Sequence, residues 1–184
     1  MPFNFYQLYK LLNETNQEPV IVPIEKSEIN TIVSLCDETV TMPSFTKVCS
    51  ANSDWKNRTD WSKSVKMILN NEVIGFYVFS FSSIDDFIEK LKNYSLDVKV
   101  NQDVYEKIKN KKGIEGVSVG IKKEYRGLGY GKKLLEHPKN LGVDYIWGVQ
   151  TKGISDIDAW TKRREILANA KGFGKEFWVT VQVF

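Results

Sequence analysis

Between Val117 and Leu135 the chain passes from alternating apolar residues through three glycines spaced two apart, Gly127, Gly129 and Gly131, into a helical run. This strand–loop–helix constrains the fold more than any other segment. Glycine allows unusual dihedrals and close approach, so several N–H groups of such a loop can converge on one concavity. A helix opening near Gly129 adds its unpaired N–H groups and its positive dipole end. Together they predict a phosphate cradle, with Lys132 and Lys133 placed to supplement it. Two common cradles fail on spacing. A P-loop needs Ser or Thr after Gly-Lys, where Lys133 stands, and a dinucleotide loop needs a third glycine at an offset that Gly127, Gly129 and Gly131 do not supply.

The rest of the chain supplies strands and helices to surround it. Phe5, Leu8, Tyr9 and Leu12 recur at helical spacing, Val20 to Ile24 is a short β-prone run, and Ser27 is placed to cap a helix burying Ile29, Ile32, Val33 and Cys36. Residues 37–62 lose all periodicity. A segment so long and irregular in a compact domain usually covers something. Val65, Met67 and Leu69 then alternate, Asn70-Asn71 supplies a turn tolerant of positive φ, and Val73 to Phe81 is almost continuously apolar. That predicts a hairpin in the middle of a sheet. Helices are expected at Ile84, Phe87, Ile88 and Leu91, and more weakly at Val104 and Ile108. Gly116 to Ile121 reads as a strand, with Val117, Val119 and Ile121 on one face and Ser118 and Gly120 on the other. Lys132 to His137 reads as a short helix stopped by Pro138. Val143 to Val149 predicts a strand, Asp156 to Lys171 a helix carrying Ile157, Trp160, Leu167 and Ala170, and Phe177 to Phe184 a last strand. The mixture points to an α/β or α+β domain on a mixed sheet.

A chain of 184 residues that is 42% hydrophobic can bury one core, so a single domain over 1–184 is expected. No apolar run is long enough to span a bilayer and the first ten residues lack a signal-peptide layout, which makes a cytoplasmic location the default and argues against a membrane partner. One histidine and two cysteines, Cys36 and Cys49, argue against a metal site, and the cysteines read as buried thiols. The net charge of +3 is too small to argue for nucleic acid. Nine cationic residues nevertheless fall between Lys107 and Lys133, as either a solvated face or an anion site.

With those alternatives removed, Arg126-Gly127-Leu128-Gly129-Tyr130-Gly131 resembles the [Arg/Gln]-x-x-Gly-x-[Gly/Ala] signature of the Gcn5-related N-acetyltransferases, the GNAT family, and the lead-in from Ile121 to Gly127 is similar too. The resemblance is densest from Glu115 to Leu135 and extends to Val73–Phe76 and to Lys171-Gly172-Phe173, which resembles the end of the family's last helix. It implies a mixed, mostly antiparallel central sheet with a V-shaped opening, flanked by helices. It also implies acetyl-CoA as co-substrate, with pyrophosphate on Arg126, Gly127, Leu128, Gly129, Tyr130, Gly131 and Lys132 and the pantetheine arm beside Val119, Gly120 and Ile121. Gly120 within a strand suits a bulge or a close ligand approach.

Acetyl transfer to an amine needs a base, because an amine is mostly protonated at neutral pH. Glu115, six residues before Ile121, matches the catalytic glutamate of one GNAT branch, and regular alternation would set it on the face of Val117 and Val119. Glu72, Asp144 and residues of the 37–62 segment are rivals. Many members carry a tyrosine four residues before the Gly-Phe as proton donor to the departing thiolate; here that position is Ala168, with Tyr145 or Tyr130 as substitutes. The expectation is therefore an acetyl-CoA-dependent N-acetyltransferase acting on a primary amine of a small molecule or protein. The alternatives are a non-catalytic acyl-CoA-binding module and, more distantly, a nucleic-acid binder; self-association is left open. Phe45, Trp55, Trp61, Asp54 and Asp60 are candidates to line the acceptor groove.

Overall fold

A computed structural model describes residues 18–39, 57, 59–80, 82–93, 97–151, 164–172 and 175–184. The expected N-terminal helix, Phe45, Cys49, Asp54, Trp55, Ile157, Trp160 and Phe173 lie outside them. Eight strands form one sheet: β1 (Val20–Pro23), β2 (Val65–Leu69), β3 (Glu72–Ser80), β4 (Asp97–Val100), β5 (Gly113–Ile121), β6 (Tyr145–Thr151), β7 (Glu165–Gly172) and β8 (Lys175–Val183). Their spatial order is β1-β2-β3-β5-β6-β8-β7-β4. Every neighbouring pair is antiparallel except β5 and β6. Among the described residues four α-helices flank it: α1 (Ile29–Thr39), α2 (Ile84–Asn93), α3 (Gln102–Glu106) and α4 (Tyr130–Glu136).

The β2–β3 hairpin is where local sequence decided most. Asn70 and Asn71 sit at φ 51° and 63°, the paired positive dihedrals of the turn that matches strand twist. From Ile74 to Ser80 every residue of β3 is buried, because the strand has neighbours on both edges and helices on both faces. One face carries Phe76 and Val78 and receives Ile32, Val33, Leu35 and Cys36 of α1. The other carries Tyr77 and Phe79 and meets Leu134 of α4. On β6 the same alternation sends Ile146 to the α4 side and Trp147 toward Ile84 and Ile88 of α2. So α4 lies on one face of the sheet, and α1 and α2 on the other.

Several expectations are corrected. Helix α1 is entered not through Ser27 but through a 3-10 turn over Lys26–Glu28, where the Glu28 carboxylate accepts the Glu25 N–H at 2.9 Å. The helix expected over Asp156 to Lys171 is, from Glu165 onward, strand β7, held between β8 and β4. Alanine's helical preference is worth tenths of a kcal/mol per residue, and two flanking ladders outweigh it. Strand β4, four residues at the sheet edge, has too short a pattern to be read from sequence. No helix among the described residues is long and apolar enough to cross a membrane.

Candidate active site

Strands β5 and β6 are paired at Gly113↔Tyr145, Ile114↔Ile146 and Glu115↔Trp147, and no further. Beyond that point β5 stays on β3 as far as Ile121, while β6 stays on β8 as far as Thr151. The sheet thus forks, and Gly116 and Gly148 are the first residues past the last pair. From Gly116 to Ile121 one backbone edge of β5 faces the V-shaped opening rather than a strand.

A bulge re-aims the side chains at the fork. Val78 pairs with Ser118 and Phe79 with Gly116, so Val117 is the extra residue. The bulge therefore falls at Val117 and not at Gly120, which pairs regularly with Phe76. Gly120 is glycine for another reason: a Cβ there would lie 2.4 Å from Thr39 Oγ1 and 2.7 Å from the Phe76 ring. The bulge also breaks the expected alternation. Ile114 and Ile121, seven residues apart, share the core on the α4 side, together with Val119. Val117 instead packs against the α1 core, and Ser118 lies 3.4 Å from Cys36 Sγ. Half-buried Glu115, paired with Ser80, falls on that α1 face beside Val117 and not with Val119.

The loop after β5 is pinned before it reaches its glycines. Buried Tyr125 donates its hydroxyl to Glu72 at 2.7 Å, and Lys122 donates to the same carboxylate at 2.8 Å, which raises the Lys122 pKa. Arg126 donates through Nε to the Ile121 carbonyl at 3.0 Å and through Nη2 to the Thr39 carbonyl at 2.8 Å. It clamps the end of α1 to the end of β5, a cation at a negative helix terminus. Gly127 and Gly129 follow at φ 83° and 82°, and Gly129 is the N-cap of α4. A Cβ at either would meet nothing within 4 Å, so backbone conformation rather than crowding requires glycine there. Leu128 is exposed, Tyr130 packs on the core as the first residue of α4, and Gly131 and Lys132 complete its first turn. Helix α4 then passes at His137 into a 3-10 turn containing buried Pro138, and burial lowers the His137 pKa.

The lysine cluster divides. Lys107 to Lys112 precede β5 and Lys122 to Lys133 follow it, separated by a nine-residue strand of roughly 27 Å. Lys107 pairs with Glu165 at 2.6 Å, Lys109 with Glu106, and Lys133 with Glu18, so much of the cluster is ion-paired surface. Lys132 lies 3.9 Å from Glu136 and is well exposed.

Of the other carboxylates, Glu72 holds Lys122 and Tyr125 beside the loop, and Asp144 accepts the Lys112 N–H at 2.8 Å at the paired end of β5 and β6. Asp60 is buried and accepts from Ser62, whereas Trp61, like Val117, packs against the core on the α1 side. Ala168 is buried within β7, and Gly172 pairs with Lys175 at the β7–β8 hairpin. Lys171-Gly172 therefore does not close a helix, and the alignment that set Ala168 in a proton donor's position does not hold. Tyr145, its pKa raised by burial, belongs to the paired end of β5 and β6. Sequence reasoning missed two residues at the fork, Tyr77 and Arg164, whose groups lie 3.5 Å apart. The available signal was a glycine inside each of two strands, Gly116 and Gly148.

No protein-family model matches the sequence, and no curated protein matches it. Solved structures do match in shape. An acetyltransferase assigned to the GNAT family from Desulfovibrio desulfuricans superposes with a TM-score of 0.60 at 10% identity, over 90% of this chain and 99% of that one. The ribosomal-protein-S18-alanine N-acetyltransferase of Escherichia coli gives 0.58 at 11% identity, over 90% and 94%. The PaiA N-acetyltransferase of Thermoplasma acidophilum, in complex with coenzyme A, gives 0.57 at 9% identity, over 91% and 100%. With the forked mixed sheet and the strand–loop–helix after β5, these likenesses show that the chain has the GNAT fold.

Proposed function

We propose that this protein is an acetyl-CoA-dependent N-acetyltransferase. The observation that carries the reading is the fork: the edge of β5 opens at Gly116, directly ahead of the loop whose glycines take positive φ. The pyrophosphate lies on the backbone of Arg126 to Gly131, where N–H groups and the first turn of α4 supply donors, with Lys132 beside them. The pantetheine arm runs along Val119, Gly120 and Ile121 and takes up backbone groups as an added strand would. Arg126 shapes this loop through its two carbonyl contacts.

The amine approaches from the α1 face, which carries Glu115 and Val117 and whose core Trp61 also packs against. Glu115 accepts the proton as the N–C bond forms, directly or through water. The acceptor is a primary amine, and its identity follows from residues that flank this face. A second reading, a binding module without turnover, is favoured by one observation: residues 152–163, which join β6 to β7, contain no tyrosine to serve as proton donor.

The test is acetyl-CoA binding and thiol release, measured with a panel of amines on wild type and Gly129→Glu. Wild type is expected to bind and to release thiol only with an amine. The variant, with a strained backbone and a carboxylate at the phosphate position, is expected to bind at least tenfold more weakly. Equal binding by the variant overturns the placement of the pyrophosphate, and binding without release selects the module.

A further inference from the structure

The fork contains a polar pair that the proposed reaction has not yet used. Tyr77 is fully buried on β3, and its hydroxyl is 2.7 Å from where a Cβ of Gly116 would stand. Arg164, half-buried and one residue ahead of β7, brings Nη2 to 3.5 Å from that hydroxyl. Its Nη1 lies 3.5 Å from where a Cβ of Gly148 would stand, and the Gly116 carbonyl oxygen is 3.1 Å from the same point. A side chain at 116 would therefore displace the Tyr77 hydroxyl, and one at 148 would crowd the Gly116 carbonyl across the parting strands. The pair lies on the α4 face, whereas Glu115 lies on the α1 face. A thioester lying in the fork would have a carboxylate on one side and a guanidinium on the other.

Resting on the proposed acetyl transfer, we propose that Arg164 is a catalytic residue that holds the departing sulfur of coenzyme A as its thiolate, and that Tyr77 is a positioning residue for the guanidinium. In the step, the amine lone pair forms the N–C bond and the C–S bond breaks with its electron pair going to sulfur. The amine proton goes to Glu115 or water, and sulfur leaves as an anion beside Arg164. No proton donor to sulfur is required. A guanidinium carries five donors in a fixed fork, enough to hold more than one partner at a time. Among the described residues, the titratable groups beside the open part of β5 are Arg164 and Tyr77 on one face and, on the other, Glu115 and the buried Cys36 thiol 3.4 Å from Ser118; the β6 residues facing it, Trp147, Gly148 and Val149, do not titrate. Burial raises the Tyr77 pKa and Arg164 lowers it in part, so the phenol stays neutral.

The experiment titrates enzyme-bound coenzyme A by thiolate ultraviolet absorbance and measures its affinity against pH, with desulfo-coenzyme A as the sulfur-free control. In wild type the bound thiol is expected to ionise about 1–3 units below the free coenzyme A thiol measured alongside it. Coenzyme A should then bind more tightly as pH rises between the bound and free values, while desulfo-coenzyme A stays flat. Arg164→Gln should abolish the shift yet still bind desulfo-coenzyme A, Arg164→Lys should keep part of it, and Tyr77→Phe should shrink it. A bound thiol that titrates like the free one, or an unchanged shift in Arg164→Gln, overturns the proposal while the cofactor site stands. If neither ligand binds wild type, the cofactor reading falls and this one with it.

Discussion

Replacing Gly120 with alanine separates two explanations of that glycine, packing and ligand approach. The new methyl would stand 2.4 Å from Thr39 Oγ1 and 2.7 and 2.9 Å from two Phe76 ring carbons, all inside contact distance. None of these atoms can swing away. Phe76 is wholly buried between α1 and the sheet, and Thr39 is the last residue of α1, with its hydroxyl donating to the Leu35 carbonyl at 2.8 Å. Its carbonyl is also held by Arg126. Relief therefore requires the end of α1 to lift. Overpacking of this kind costs about 1–3 kcal/mol, or roughly 2–12 °C in Tm for a chain of this size. Urea unfolding of Gly120→Ala, Thr39→Ala and the double variant measures it. Thr39→Ala alone should cost about 0.5–1.5 kcal/mol for the lost hydrogen bond. In its background Gly120→Ala should be milder, with a coupling of about 0.5–3 kcal/mol between the two sites. Additivity within about 0.5 kcal/mol would refute the steric argument. Unchanged stability with lost coenzyme A affinity would show that the glycine makes room for the ligand.

Two other perturbations read the local physics. At the β2–β3 turn, Asn70→Val should cost about 1–2 kcal/mol by forcing a branched residue to φ 51°, while Asn71→Gly should leave the unfolding midpoint unchanged or raise it. Glu28 holds the nearly buried Lys66 ammonium, and that contact with the Glu25 N–H holds its carboxyl below the usual carboxylate range. A carboxyl depressed on folding contributes stability above the ordinary carboxylate pKa, and that contribution is lost as pH falls through the folded value. Glu28→Gln should accordingly cost about 1–3 kcal/mol at pH 7. It should also flatten the fall in the urea midpoint below about pH 4.5; an equally steep fall in the variant would remove Glu28 from the acid response.

What the sequence determined by itself was local. Asn70-Asn71 between two apolar runs requires a tight hairpin, the glycines after β5 require a loop with positive φ, and the periodicities of α1 and α2 select their buried faces, because each depends on residues within a turn or two. The tertiary structure decided what depends on pairing across the chain. Residues 165–172 have a composition that suits a helix as well as a strand, and only the ladders from β8 and β4 make them β7. The bulge at Val117 follows from β5 meeting β3, and it carried Glu115 to the face opposite Val119. Arg164 was invisible as a site residue, since 87 positions separate it from Tyr77. They meet because β5 and β6 part at Gly116 and Gly148, where a Cβ on Gly116 would overlap the Tyr77 hydroxyl and one on Gly148 would crowd the Gly116 carbonyl.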